Sequence, residues 1–159
     1  MKPKSAMPNT YTQILIQFVF AVKHRDALIN ENLRVPLEKY ISGIIAKNDH
    51  KLLAIYCMPD HCHILVGLNP TQSISDLARD VKSSSTKWVN ENKYTKSKFN
   101  WQEGYGAFSY AKSQLDTVVN YILSQREHHR KKTFKQEYHD FLTKFNIQYD
   151  DQYLFDWLD

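Results

Sequence analysis

A short turn, Met58-Pro59-Asp60, constrains the fold of this chain more than any other feature, because it separates two segments that both look like β-strands. Residues 51–57 precede the turn, and residues 62–68 follow it. Proline and aspartate are typical turn residues, and so short a connection joins only antiparallel neighbours. The segment therefore predicts an antiparallel hairpin.

Two histidines, His61 and His63, lie where the second strand of this hairpin begins. Side chains two positions apart on a strand point to the same face, roughly 7 Å apart at the backbone, so two ring nitrogens can converge on one metal ion. An isolated pair with this spacing is as often structural as functional. The apolar run that follows indicates that the other face of the strand is buried. We therefore expect the histidines on the exposed or cleft side, which favours a functional role.

The remaining elements alternate between strand and helix patterns. Strands are predicted at 14–22 and 104–111, and helices at 32–48, 71–92, 113 to about 132, and 134–145, with Ser73 or Ser75 as the N-cap of the second helix. The order β-α-β-β-α-β predicts an α+β fold of the ferredoxin-like (RRM-like) type. Its single antiparallel sheet would have two helices on one face, additional C-terminal helices elsewhere, and the histidine pair on the free face of an inner strand.

Length and composition restrict the class of protein. A chain of 159 residues with 42% hydrophobic residues is long and apolar enough for one folded domain, which excludes a disordered chain. The net charge of +4 permits a nucleic-acid partner but does not require one. Residues 146–159 form an acidic and aromatic C-terminal tail, which we interpret as docked and whose role stays open.

Cysteine usage and hydropathy bear on the compartment. Two cysteines, Cys57 and Cys62, are too few for a disulfide framework, so free thiols in a reducing cytoplasm are expected. Residues 14–22 are apolar but too short to span a membrane, and they lack a small-residue cleavage pattern. We expect a cytoplasmic protein with no membrane partner.

A second group of candidate residues lies on the predicted helix from residue 113. Tyr121 and Gln125 are one turn apart on the flank of its apolar stripe. A tyrosine in this position is more often a packed aromatic residue than a catalytic one. A basic run follows directly, and such a run is usually a solvated face, although next to a nucleophile it could hold phosphates. Its members are Arg126, His128, His129, Arg130, Lys131, Lys132 and Lys135.

These motifs together resemble the single-tyrosine HUH transposases of the insertion-sequence-200 type. The resemblance covers roughly residues 11–135. It rests on MPDHCH at 58–63, KSSSTK at 82–87, the glycine-containing WQEGYGAFS at 101–109, YILSQ at 121–125 and EHHR at 127–130. Cys62 occupies a position where the family pattern has an apolar residue, and a buried thiol satisfies that pattern.

The resemblance implies a function and a set of residues. Residues 1–159 would form a single transposase catalytic domain that nicks and rejoins single-stranded DNA through a 5′-phosphotyrosine on Tyr121. A divalent ion, Mg²⁺ or Mn²⁺, would be held by His61, His63 and Gln125. The DNA would carry a hairpin at the element end, and its candidate contacts are Lys82, Lys87, Arg126, Arg130 and Lys131.

The resemblance also implies a homodimer. In many family members the tyrosine helix serves the histidine pair of the partner, and residues 111–113 are the candidate linker that would allow this exchange. The sequence leaves open whether the site is completed within one chain or between two.

Two other functions remain open from the sequence. One is a domesticated, non-catalytic module that binds DNA hairpins on the same sheet. The intact set of His61, His63, Tyr121 and Gln125 argues against it. The other is a zinc site that adds Cys57 and Cys62 to the histidines. Its spacing is poor, because adjacent strand residues point to opposite faces and cannot easily converge.

Overall fold

Four strands form one antiparallel sheet in the computed structural model, which describes residues 9–158. The strands are β1 (Leu15–Ala21), β2 (Lys51–Cys57), β3 (His61–Gly67) and β4 (Gly106–Tyr110). Their spatial order is β2-β3-β1-β4, and every pairing is antiparallel. The predicted hairpin is the β2–β3 pair, in which Cys57 lies opposite Cys62.

One face of the sheet carries the two long helices, α1 (Glu31–Lys47) and α2 (Ile74–Glu91). Each helix is capped by a side chain, Asn30 for α1 and Ser73 for α2, which accepts a hydrogen bond from a backbone N–H three residues later. Of the two serines considered for this role, Ser73 is the cap. Together with the sheet order, these helices confirm the α+β, ferredoxin-like arrangement.

The opposite face is covered by three C-terminal helices, namely α3 (Leu115–Leu123), α4 (Gln125–Lys131) and α5 (Phe134–Lys144). The expectation that the histidines stand on an exposed or cleft side is therefore wrong, since His61 and His63 both have 0% exposure. The cause is the apolar character of α5 and of strand residues on the same face, among them Val19, Ala21 and Leu65. Both surfaces gain by burying each other.

The helix predicted from residue 113 to about 132 is interrupted at Ser124, so that expectation is also wrong. Ser124 has φ −103° and ψ 23°, outside the helical region, and separates α3 from α4. Leu123 just before the break is exposed, whereas Gln125 just after it is fully buried. Burial nevertheless keeps the helical spacing across the interruption, because Val118, Ile122 and Gln125 are all buried and lie four and three residues apart.

The segment after α5 packs against the same face. Phe155 is buried, and its ring stacks on Phe134 at a centroid distance of 6.0 Å and lies 4.9 Å from the Tyr138 ring. The interpretation of a docked tail is thus confirmed for its described part. Within residues 9–158, no helix combines the length and apolar character that crossing a membrane would require.

Candidate active site

The strand alternation of β3 places His61 and His63 side by side on the face that α5 covers. Their ring centroids are 5.1 Å apart, with the rings nearly perpendicular. Cys62 between them points to the opposite face and joins the core under α1 and α2. The prediction that both imidazoles project together is confirmed.

A hydrogen-bond acceptor holds the Nδ1 atom of each histidine. Asp60 Oδ1 lies 2.7 Å from His61 Nδ1, and Gln17 Oε1 lies 2.8 Å from His63 Nδ1. The amide nitrogen of Gln17 donates to the hydroxyl of Tyr110 at 2.6 Å, which fixes the amide oxygen toward His63. With a proton on each Nδ1 atom, both Nε2 lone pairs would point into the same space.

Two of these residues extend what the sequence indicated. The pattern at 58–60 predicts a turn residue at Asp60, but its carboxylate also orients His61. No motif in the sequence pointed to Gln17. The sequence does place Gln17 as a polar residue within an otherwise apolar strand. In the structure Gln17 points inward and has 0% exposure.

The helices α3 and α4 bring Tyr121 and Gln125 to the histidines. Gln125 Oε1 lies 3.3 Å from His61 Nε2, and the Tyr121 ring centroid lies 6.0 Å from that of His63. The four residues predicted to serve catalysis and metal binding therefore meet within one chain. The sequence had left open whether one chain or two would supply them.

Glu137 and His129, two residues that the sequence pattern did not assign to the site, complete the cluster. Glu137 Oε1 lies 2.9 Å from His63 Nε2, and its Oε2 accepts hydrogen bonds from the hydroxyl of Tyr121 and, at 3.3 Å, from Gln125 Nε2. His129 Nε2 lies 2.9 Å from Gln125 Oε1. The signal for Glu137 was a charge within the apolar stripe of α5, and His129 lies one turn after Gln125.

A match to a known protein family shows which family carries this cluster. The family model described as "Transposase IS200 like" matches residues 10–125, well over half of the chain. The chain belongs to this family. The resemblance noted from the motifs is thereby confirmed, and the matched residues include the histidine pair, the tyrosine and Gln125.

A curated relative and two solved structures are similar to this member of the family. The ISDra2 transposase TnpA of Deinococcus radiodurans is 27% identical over 75 residues, which are 47% of this chain and 54% of that protein. This chain thus matches about half the length of that relative.

The solved structures bear on the fold. A crystal structure of a candidate transposase from Deinococcus radiodurans R1 has a TM-score of 0.60 at 21% identity, covering 79% of this chain and 98% of that one. A REP-associated tyrosine transposase bound to a REP hairpin has a TM-score of 0.58 at 16% identity, covering 77% and 72%. Both support the same sheet architecture.

Electrostatics within the cluster are dominated by the buried carboxylate. Burial alone would raise the pKa of Glu137, but the neighbouring histidines, His63 first, hold that pKa well below its usual range. Burial lowers the pKa of His63. Burial and the adjacent carboxylate raise the pKa of Tyr121 far above its usual value, so its hydroxyl stays protonated at neutral pH.

A divalent cation suits the donor set of this cluster. One ligand atom from each of His61, His63, His129 and Glu137 lies within 4.8 Å of the others. The Nε2 atom of His63 lies 2.9 Å from a carboxylate oxygen of Glu137, and a positive charge between these two atoms would satisfy both. Imidazole nitrogens and carboxylate oxygens are ordinary ligands of divalent ions.

A cleft of about 570 Å³ opens beside Tyr121, and its lining combines aromatic and basic side chains. These residues include Tyr110, Tyr121, His128, Lys131, Lys132 and Lys144. Single-stranded nucleic acid is typically held by basic side chains that contact phosphates and aromatic rings that stack on bases. Among the five candidate DNA contacts from the sequence, Lys131 lines this cleft.

The other four candidates lie elsewhere. Lys82 donates to the backbone carbonyls of Gln102 and Gly104 at 2.6 and 2.7 Å, and Lys87 lies 3.9 Å from Glu91 on the exposed side of α2. Both belong to the helix on the opposite face of the sheet. Near the site, two exposed arginines form ion pairs: Arg126 with Glu31 and Arg130 with Glu127.

The two cysteines are separated from the cluster by the sheet. Cys57 Sγ and Cys62 Sγ lie 3.1 Å apart, and both side chains are buried in the core under α1 and α2. Burial and the neighbouring thiol raise the pKa of Cys62 well above its ordinary value, which disfavours a thiolate ligand. The arrangement therefore argues against the zinc alternative.

Proposed function

We propose that this chain nicks and rejoins single-stranded DNA at the ends of an insertion element through a 5′-phosphotyrosine on Tyr121. The observation that carries the proposal is the convergence of Tyr121 with His61, His63 and Gln125 in one buried cluster. Membership of the IS200-like transposase family supports the same reaction class.

In the proposed reaction, the Tyr121 hydroxyl oxygen forms a bond to the phosphorus while the bond from phosphorus to the 3′ oxygen breaks. The phenolic proton ends on the departing 3′ oxygen, so a free 3′ hydroxyl and a tyrosyl ester are produced. The ester conserves the phosphodiester bond energy. Attack by a 3′ hydroxyl therefore rejoins the DNA without a nucleotide cofactor.

The protein contributes charge and orientation. Tyr121 is a poor nucleophile by itself, because burial and Glu137 raise the pKa of its hydroxyl. His61, His63 and Gln125 are proposed to hold Mg²⁺ or Mn²⁺, which would polarise the phosphate and stabilise the leaving oxygen. Asp60 and Gln17 keep the two imidazoles aimed at that ion through their Nδ1 atoms.

The DNA partner is proposed to be a single strand with a hairpin at the element end. The cleft beside Tyr121 combines aromatic rings with Lys131, Lys132 and Lys144, which suits an unpaired strand. The REP-associated tyrosine transposase of similar fold is bound to a REP hairpin, which supports a structured DNA partner here. A homodimer is proposed from the family resemblance, with each chain completing its own site.

The experiment is incubation with single-stranded element-end DNA and Mn²⁺, followed by a denaturing gel. We expect a covalent adduct with the wild-type protein and none with Tyr121→Phe, which lacks only the hydroxyl. Hairpin binding should stay nearly unchanged in this variant. An adduct that persists would assign the nucleophile to another tyrosine, and wild-type binding without any adduct would favour the non-catalytic alternative.

A mixture of variants tests completion within one chain. The Tyr121→Phe variant keeps both histidines but lacks the nucleophile. The His63→Ala variant keeps the nucleophile but lacks an intact histidine pair. If each chain completes its own site, the mixture stays inactive. If the tyrosine helix serves the partner, mixed dimers combine an intact tyrosine with an intact histidine pair and regain part of the activity.

A further inference from the structure

Glu137 is a buried carboxylate on the apolar side of α5. Only 4% of its surface is exposed, and its neighbours along the helix, Phe134, Tyr138 and Phe141, are buried hydrophobic residues. A charge in such a place destabilises the protein unless partners compensate it. The identity of those partners indicates what the carboxylate does.

The two carboxylate oxygens of Glu137 have different partners. Oε1 faces three imidazoles, with Nε2 of His63 at 2.9 Å, of His129 at 3.4 Å and of His61 at 3.6 Å. Oε2 instead accepts from the hydroxyl of Tyr121 and from Gln125 Nε2. One oxygen thus belongs to the proposed cation site, and the other belongs to the nucleophile.

His129 stands opposite the histidine pair. Its ring lies 4.7 Å from the His61 ring, and its Nε2 approaches both Gln125 Oε1 and Glu137 Oε1. Burial opposes protonation, but the hydrogen bond to Glu137 raises the pKa of His129. The ring is aimed into the cluster rather than into solvent, although α4 itself is largely exposed.

We infer that Glu137 and His129 are themselves ligands of the divalent ion, in addition to His61 and His63. This inference rests on the proposed function, because it assigns further residues to the same ion. It also places the nucleophile, since the second oxygen of Glu137 holds the Tyr121 hydroxyl next to the site.

Three imidazoles and one carboxylate favour a particular class of metal. Mg²⁺ prefers oxygen ligands and retains several waters, whereas imidazole nitrogens suit first-row transition ions, among which affinity rises from Mn²⁺ through Fe²⁺ to Co²⁺. The inference therefore narrows the metal to a transition ion. Mn²⁺ should stay bound when Mg²⁺ is added in about a hundredfold excess. Displacement of Mn²⁺ by equimolar Mg²⁺ would overturn this assignment.

Titration calorimetry with Mn²⁺ alone tests the two ligands. Glu137→Gln keeps the shape of the side chain but removes its charge, and His129→Ala removes the third imidazole. Each should weaken Mn²⁺ binding at least about tenfold. Glu91→Gln makes the same chemical change on the exposed side of α2 and should leave Mn²⁺ affinity within about twofold of the wild type.

The His61→Ala variant distinguishes a failure of this inference from a failure of the proposed function. If His61→Ala weakens Mn²⁺ binding but Glu137→Gln and His129→Ala do not, the two residues are not ligands and the proposed function stands. If His61→Ala has no effect either, the proposed metal dependence fails as well. Should Glu137→Gln not fold by circular dichroism, His129→Ala still decides, because His129 lies on the largely exposed helix α4.

Discussion

The two faces of the sheet are made from alternate residues of the same strands, but they differ in chemistry. Under α1 and α2, β1 and β3 present only apolar side chains, including Phe18, Phe20 and Ile64. Under α3 and α5, the intervening positions of the same strands include Gln17, His61 and His63, each with 0% exposure. Burial is equally complete on both faces, but its consequences are different.

An apolar face stabilises the fold by removing hydrocarbon from water. A buried polar face is tolerated only when every group is paired, and here each polar side chain has partners within the cluster. Buried polar residues that stabilise little by themselves, and that converge on one point, indicate a site. The comparison teaches that one face maintains the fold while the other positions reactive groups, and neighbouring residues of β3 allow this to be tested.

The largest effect is expected for His63→Ala on the polar face. Loss of one metal ligand removes several kcal/mol of transition-state stabilisation, so metal-dependent cleavage should fall about a thousandfold. The measurement is the initial rate of strand cleavage, with circular dichroism to verify folding. Unchanged cleavage at limiting Mn²⁺ would remove His63 from the metal site and the polar face from catalysis.

The adjacent residue, Ile64, should behave in the opposite way. Ile64→Ala on the apolar face leaves a cavity in the core and should cost about 2–5 kcal/mol of unfolding free energy, measured by urea denaturation. Cleavage per folded molecule should stay within about twofold. A specific loss of activity at full folding would mean that the two faces are coupled more closely than their packing indicates.

The smallest effect concerns DNA affinity and its salt dependence. Changing Arg130 and Lys131 together to Ala should flatten the slope of log affinity against log salt, by about 0.7 for each phosphate that is no longer neutralised. Lys87→Ala, on the opposite face, should leave the slope unchanged. Hairpin preference should not shift in either variant, because phosphate contacts carry no sequence information.

Two outcomes would contradict the predicted salt dependence. If the Arg130 and Lys131 changes leave the slope where it was, these charges only solvate α4 or pair with acids such as Glu127. If Lys87→Ala flattens it instead, the DNA path extends across the helix α2, as the sequence motif at 82–87 indicates.

Local patterns predicted the fold well because they act over short distances. The turn at 58–60 fixed the β2–β3 hairpin, and helical periodicity placed α1 and α2 to within a few residues. The break at Ser124 was not predicted, because neither its neighbours nor its side chain interrupts the apolar stripe in the sequence. Val118, Ile122 and Gln125 keep helical spacing across it and are all buried, so the apolar stripe carries no sign of the break.

Part of the candidate site could also be predicted, because some of its residues are close together in the sequence. His61 and His63 are two residues apart, and Tyr121 and Gln125 are four apart, so each pair follows from the geometry of a single strand or helix. The sequence did not predict that α5 covers the histidines. Hydrophobic periodicity shows which residues of a helix are apolar, but it does not show which surface of the protein they pack against.

The sequence alone determined the hairpin, the shared direction of the two histidines, the pairing of Tyr121 with Gln125, and the family. The tertiary structure decided that Gln17 and Glu137, which are 46 and 74 positions from His63, hold its two ring nitrogens. It also decided that the cluster assembles within one chain, with His61, His63 and Gln125 fully buried. The physical reason is that these contacts depend on how α5 packs across the sheet, and no local repeat in the sequence encodes that distance or orientation.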